Sequence, residues 1–338
     1  MTMIDQPAPV ADPPLPLLVT GVAGVAGFNA FHYFQKRYPG QVFGTRRVDN
    51  WPLSGPGIHG CDVEDYDGFA ALFEQHKFQS VLNCEGTCKL KSCELDPAMA
   101  QRVNVVGVQN LLKLVHQYQA RMVHLSIDLV FSGTGQGGHV EQDATDPVTV
   151  YGRTMVEAEQ LMVQENPAAC ILRISLPMGI SHNGHAGAID WIQSRFAKSK
   201  PATLYYDEIR TPTYTDCLNR LFQRVLIADL QGLYHAGGPR CLSLYEIAQI
   251  VNRIGGYAPE HLQGCYREEA GPMPPRAGNV TMNSDRLAAA IGFQPFDPWP
   301  YHESHLPTHR DWHRERPGNE TGSPELLAQV LYRNPRHS

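Results

Sequence analysis

Short apolar runs alternate with amphipathic stretches over the first half of the chain. The run Leu15 to Thr20 predicts a buried strand that ends in Thr20-Gly21-Val22-Ala23-Gly24-Val25-Ala26-Gly27, and a helical period follows from Phe28 to Arg37. Apolar stretches at Gln41 to Thr45 and Ser80 to Asn83 predict two more strands, with a helix from Tyr66 to His76 between them. Pro97 to Tyr118 reads as one long amphipathic helix, with Asp96 placed to cap it and Pro97 at its first position. Met122 to Ile127 reads as a buried strand, Val150 to Gln164 as a helix and Ala169 to Ile174 as a strand. Strands alternating with helices at this spacing predict an α/β fold with a doubly wound parallel sheet.

After Leu176 the alternation loosens. Ile189 to Ala197 and Cys217 to Ala228 look helical, Gly232 to His235 is a short strand, and Ser243 caps a helix that stops at Gly255-Gly256. The expected organisation is a leader over 1–14, a nucleotide-binding domain over 15–175 to which some later segments return, and a smaller mixed domain over 176–299. An extension over 300–338 ends in a helix opened by Ser323-Pro324.

Composition narrows the partners. The 338 residues carry 28 basic and 34 acidic side chains, a net charge of −6 with no Lys/Arg block, which argues against nucleic acid and anionic membranes. No apolar run reaches about 20 residues, so no membrane span is expected. The start, Met1 to Pro16, has two aspartates and five prolines where a signal peptide needs a basic start and an apolar centre, so a disordered leader and a cytoplasmic protein are expected. Cys84, Cys88 and Cys93 have a spacing that fits neither zinc nor iron–sulfur ligation, and free thiols are expected. His302, His305, His309 and His313 would share one face of a helix, but Pro307 interrupts it, and no metal is assigned.

The glycine turn carries the first chemistry. Backbone lacking Cβ atoms at Gly21, Gly24 and Gly27 lets a pyrophosphate approach a helix N-terminus, where N–H groups and the positive dipole end face it. At the end of the second strand an acidic residue would bind a ribose 2′-hydroxyl, but here stand Arg46 and Arg47. Two guanidinium groups suit a phosphate, so NADP(H) is favoured over NAD(H). Asp62 is placed to reach adenine.

The order of motifs resembles the extended short-chain dehydrogenase/reductases, specifically the dTDP-4-dehydrorhamnose reductase group, with a Rossmann-type sheet and a small C-terminal substrate domain. The resemblance runs from about Leu15 to Trp299. It rests on the glycine turn, Asn83-Cys84-Glu85-Gly86, Asn104 to Leu111, Ser126 to Gly133, Asp146-Pro147 and Tyr151-Gly152-Arg153, then Arg210 to Tyr214, Gly232 to His235 and Pro275-Arg276. The Arg46-Arg47 pair is similar to the regulatory β subunits of methionine adenosyltransferase, members that bind NADP. The resemblance implies that Asn83, Cys84, Glu85, Asn104 and Tyr151 border the cofactor and that Arg173, Leu176, Met178, Arg210 and Tyr214 border the substrate.

It also implies a catalytic triad, and here the sequence departs. A Tyr hydroxyl gives a proton to the carbonyl oxygen, a Ser/Thr hydroxyl holds that oxygen, and a Lys one helical turn after the Tyr lowers its pKa. Tyr151 stands at the first position, but Ile127 replaces the Ser/Thr and Met155 the Lys. Leu176 and Met178 stand where rhamnose-forming enzymes have aromatic residues, so a nucleotide sugar is only one possible substrate.

Two functions remain open. One is an NADP(H)-binding, non-catalytic or regulatory subunit with a protein partner. The other is a divergent NADPH-dependent reductase of a nucleotide sugar or other carbonyl, using Tyr151 as proton donor. A small-molecule substrate and a second copy of the chain are the other candidate partners.

Overall fold

The computed structural model describes residues 12–316 and 322–332. The leader expected over 1–14 therefore lies almost wholly outside the described residues. A seven-stranded, all-parallel sheet forms the centre, built from β1 (Leu17–Thr20), β2 (Val42–Arg46), β3 (Ile58–Gly60), β4 (Ser80–Asn83), β5 (Arg121–Ile127), β6 (Cys170–Ile174) and a last strand Gly232–Ala236. Its order is Gly232–Ala236, β6, β5, β4, β1, β2, β3, so the chain reverses direction between β1 and β4. That reversal opens a crevice at the strands' carboxyl ends, the place where open α/β sheets bind ligands.

The strands read as continuous apolar runs because both sheet faces are covered. Leu17, Val19, Val123 and Leu172 face α1 (Val25–Arg37) and the helix Thr215–Ile227, while Leu18, Val81, Met122 and Ile171 face α2 (Tyr66–His76) and the helices that follow. Asp65 caps α2 by accepting the Gly68 N–H at 3.0 Å.

One expectation about the next segment is corrected. After β4, Leu90–Leu95 forms a short helix, α3, that buries Cys93. The helix predicted over 97–118 is α4 (Pro97–Gln101), a π turn Arg102–Val106 and α5 (Gly107–Tyr118) in succession. Single π turns concentrate at functional sites. This one buries Asn104 against the segment after β4.

The smaller portion has three two-stranded ladders: Thr213–Tyr214 with Pro177–Met178, Leu242–Ser243 with Ile209–Arg210, and Leu262–Cys265 with Ala202–Tyr205. The described residues from Trp299 onward, 299–316 and 322–332, pack on this portion. Tyr245 donates to the Arg310 carbonyl at 3.0 Å, Gln249 to those of His309 and Arg310 at 3.0 and 2.9 Å, and the helix Pro324–Tyr332 buries Leu327 and Leu331 beside Trp299. The late histidines share no helix: Glu303–His305 and Trp312–Arg314 are separate 3-10 turns, and His313 is buried against Gln249. Among the described residues no group of three His, Cys, Asp or Glu side chains is placed to hold a metal, and no helix is long and apolar enough to cross a membrane.

Candidate active site

The glycine turn is shaped by close approach. Gly21 has φ +66°, and a Cβ there would lie 2.5 Å from the Cys84 carbonyl oxygen; a Cβ on Gly27 would lie 2.3 Å from the Gly21 oxygen. Only glycine fits either place. Gly24 differs: it is exposed, and a Cβ on it would meet only the Gly21 oxygen at 3.5 Å, so its missing side chain leaves open space in front of α1. No side chain caps that helix end and no acidic residue lies in its first turn. A helix N-terminus with open N–H groups and a glycine cradle fits the pyrophosphate of a dinucleotide.

β4 is locked to this turn. Thr20 Oγ1 donates to Asn83 Oδ1 at 2.5 Å and accepts the N–H groups of Cys84 and Glu85 at 3.1 and 3.2 Å, while Asn83 Nδ2 lies 2.9 Å from His124 Nδ1. Asn104, from the π turn, accepts the Thr87 N–H at 2.8 Å and donates to Thr154 Oγ1 at 2.8 Å, tying the segment after β4 to α6 (Val150–Glu165).

The two arginines after β2 take different positions. Arg46 folds back on its own loop, donating through Nε to the Leu53 carbonyl at 2.6 Å and through Nη1 to that of Arg47 at 2.9 Å. Arg47 lies 3.4 Å from Asp49 and 3.8 Å from Glu64, with Asp62 and Glu85 also in its field. Asp62 accepts the Val48 N–H at 3.0 Å and so closes the same loop.

Tyr151 opens α6, where Thr149 caps the helix through the Gly152 N–H at 2.9 Å and Glu94 of α3 accepts the Val150 N–H at 2.7 Å. Tyr151 is 7% exposed and Met155 3%, and both pack in one apolar cluster with Cys93, Leu129 and Val130, against which Ile127 also packs. Burial, with Cys88 and Asp128 adding to it, pushes the Tyr151 phenol well above its ordinary value, opposed by Arg210. A catalytic Tyr needs the reverse shift. Arg210 is itself committed, since its guanidinium is bound to Asp128, which also accepts Ser175 Oγ at 2.5 Å.

Arg173 and Tyr214, expected beside the substrate, are turned into the fold. Arg173 donates to Glu159 at 2.9 and 2.7 Å and lies 3.2 Å from His235 Nε2, and Ser126 also donates to Glu159. Tyr214 donates to the Val330 carbonyl at 3.3 Å and accepts the Tyr301 N–H at 3.0 Å. Met178 is buried in the core, while Leu176 is half-buried at its edge. The Glu159 network had a sequence signal: Tyr151, Met155 and Glu159 recur every four residues, so the carboxylate falls on a buried face and requires a partner. The thiols of Cys84 and Cys93 are pushed up by burial, which opposes nucleophilic reactivity.

The parallel sheet and the glycine cradle at its topological switch point define a Rossmann-type α/β protein. Within that class, the RmlD substrate binding domain family matches residues 15–306, and the chain belongs to this family of sugar-nucleotide-reductase-like, NADP-binding proteins. It is 25% identical over 276 residues to methionine adenosyltransferase 2 subunit beta of Xenopus laevis, covering 80% of each chain. It is 28% identical over 242 residues to dTDP-4-dehydrorhamnose reductase of Mycolicibacterium smegmatis, covering 71% of this chain and 72% of the relative. Among solved structures, the dTDP-4-dehydrorhamnose reductase of Bacillus anthracis in complex with NADP superposes with a TM-score of 0.69 at 18% identity, covering 84% of this chain and 95% of that one. The UDP-glucose 4-epimerase of Thermus thermophilus in complex with NAD superposes with 0.70 at 21% identity, covering 82% and 93%. These structural likenesses show the fold.

Proposed function

We propose that the protein binds NADP(H) as a non-catalytic, regulatory subunit of a protein partner. The observation that carries this reading is the surroundings of Tyr151. No cation stands at the Lys position, Ile127 offers no donor for a carbonyl oxygen, and burial holds the phenol protonated. Loss of one oxyanion donor alone typically costs about 2.7–4 kcal/mol of transition-state stabilisation. Gly21, Gly24, Gly27, the α1 N-terminus and Arg47 would hold the cofactor, with Asn83, Cys84, Glu85 and Asn104 bordering it. When bound, its nicotinamide supplies a hydride. This chain's residues provide the binding side of that chemistry and lack the proton side. Relatives named as a subunit of methionine adenosyltransferase 2 support a protein partner.

The second reading, a divergent reductase of a nucleotide sugar or other carbonyl, draws on the Arg210 charge, which lowers the Tyr151 pKa against the effect of burial. Titration with NADPH, followed by absorbance in the presence of 4-keto nucleotide sugars and simple ketones, separates the two. Binding without consumption is expected. Consumption that Tyr151→Phe abolishes establishes the reductase, and failure to bind either dinucleotide removes both readings.

A further inference from the structure

Glu85 follows β4 and lies directly against the glycine turn. Its backbone N–H is held by Thr20 Oγ1 and Asn83 Oδ1, both at 3.2 Å, and its Cα would lie 2.8 Å from a Cβ on Gly21. The side chain is thereby delivered to the cofactor turn. Groups from each neighbouring element face it. The Gly21 N–H and the Arg47 guanidinium favour its charged form, while Glu64 and Asp62, from the segment after β3, oppose it. The thiols of Cys61 and Cys84 also lie in its field.

The charge count around Arg47 is one-sided. Among the described residues, Arg46 donates to backbone carbonyls, while Arg47 lies in the field of Asp49, Asp62, Glu64 and Glu85. A 2′-phosphate seated on Arg47 enters a ring of carboxylates, each repelling it across a partly desolvated gap. A free 2′-hydroxyl meets no such repulsion and can donate to a carboxylate.

We propose that Glu85 is a specificity-determining acid of the dinucleotide site: neutral, it admits the 2′-phosphorylated cofactor to Arg47, and ionised, it repels that phosphate and favours the form with a free 2′-hydroxyl. The inference rests on the dinucleotide-binding reading above. Burial pushes the Glu85 carboxyl up to about 7, so this exchange falls near neutral pH.

The test is dissociation constants for NADPH and NADH, by fluorescence titration of the whole protein from about pH 6.5 to about pH 8.5, wild type against Glu85→Gln. For the wild type, NADPH binding weakens with rising pH, approaching roughly tenfold per pH unit above the transition, while NADH binding changes by less than about threefold. Glu85→Gln removes the slope and binds NADPH at high pH at least about tenfold more tightly than the wild type. An equal slope in Glu85→Gln, an equal slope for NADH, or flat NADPH binding by the wild type overturns the inference and leaves the dinucleotide reading standing. No binding of either dinucleotide by either protein at any pH overturns both.

Discussion

Met155 stands four residues after Tyr151 on the same face of α6, and the two side chains are buried in one apolar cluster. One helical turn from the phenol, Met155 puts an uncharged thioether. Burial raises the Tyr151 phenol well above its ordinary value against the opposing Arg210 charge, so the phenol holds its proton.

The three glycines are expected to separate stability from binding. Gly21→Ala and Gly27→Ala each force a Cβ against backbone oxygen at 2.5 and 2.3 Å, and thermal denaturation should show a loss on the order of 1–3 kcal/mol. Gly24→Ala meets nothing closer than 3.5 Å, so its melting temperature should match the wild type while NADPH titration shows weaker binding. A destabilised Gly24→Ala protein would contradict the assignment of its open face to the phosphates.

Arg46 and Arg47 should prove unequal. Arg47→Ala is expected to weaken NADPH binding relative to NADH by about tenfold, the effect of one charge-assisted hydrogen bond. Arg46→Ala removes bonds to the Leu53 and Arg47 carbonyls and should lower thermal stability while keeping the NADPH to NADH ratio. The two titrations, run side by side, reveal a reversed order if the assignment is mistaken.

Glu159 holds Arg173 and Ser126 in the sheet core. Glu159→Ala leaves a buried guanidinium unpaired and should cost about 3–5 kcal/mol in chemical denaturation. A cost near zero would mean that water reaches this site.

Acid should weaken the fold through buried neutral histidines. Burial lowers His124 and His235 to about 4, below the ordinary value of about 6.5 for an unfolded chain. Between those values the unfolded chain takes up protons that the fold refuses, so their contribution is whole above about pH 6.5 and shrinks as pH falls, by up to about 2 kcal/mol per His at about pH 5. Denaturation midpoints for His124→Gln should fall less from about pH 7 to about pH 5 than those of the wild type, and an equal fall would contradict this.

How much of this was legible depends on what each feature rests on. α2 and β4 follow from apolar periodicity and a cap, and their residues, Tyr66–His76 and Ser80–Asn83, match the reading of the sequence. That Met155 shares a helix face with Tyr151 was legible from the four-residue spacing within a helix the sequence predicts. The π turn at Arg102–Val106 was not, since it keeps an apolar face and differs only in hydrogen-bond spacing. Nor could the sequence separate Arg46 from Arg47. The loop carbonyls that capture Arg46 exist only once residues 47–53 have folded back.

Cofactor binding without catalysis is tested by single-turnover absorbance of NADPH bound to the protein after mixing with a 4-keto nucleotide sugar. Bound NADPH is expected to persist, and Tyr151→Phe is expected to bind it as tightly as the wild type. Oxidation of the bound NADPH that disappears in Tyr151→Phe would contradict this.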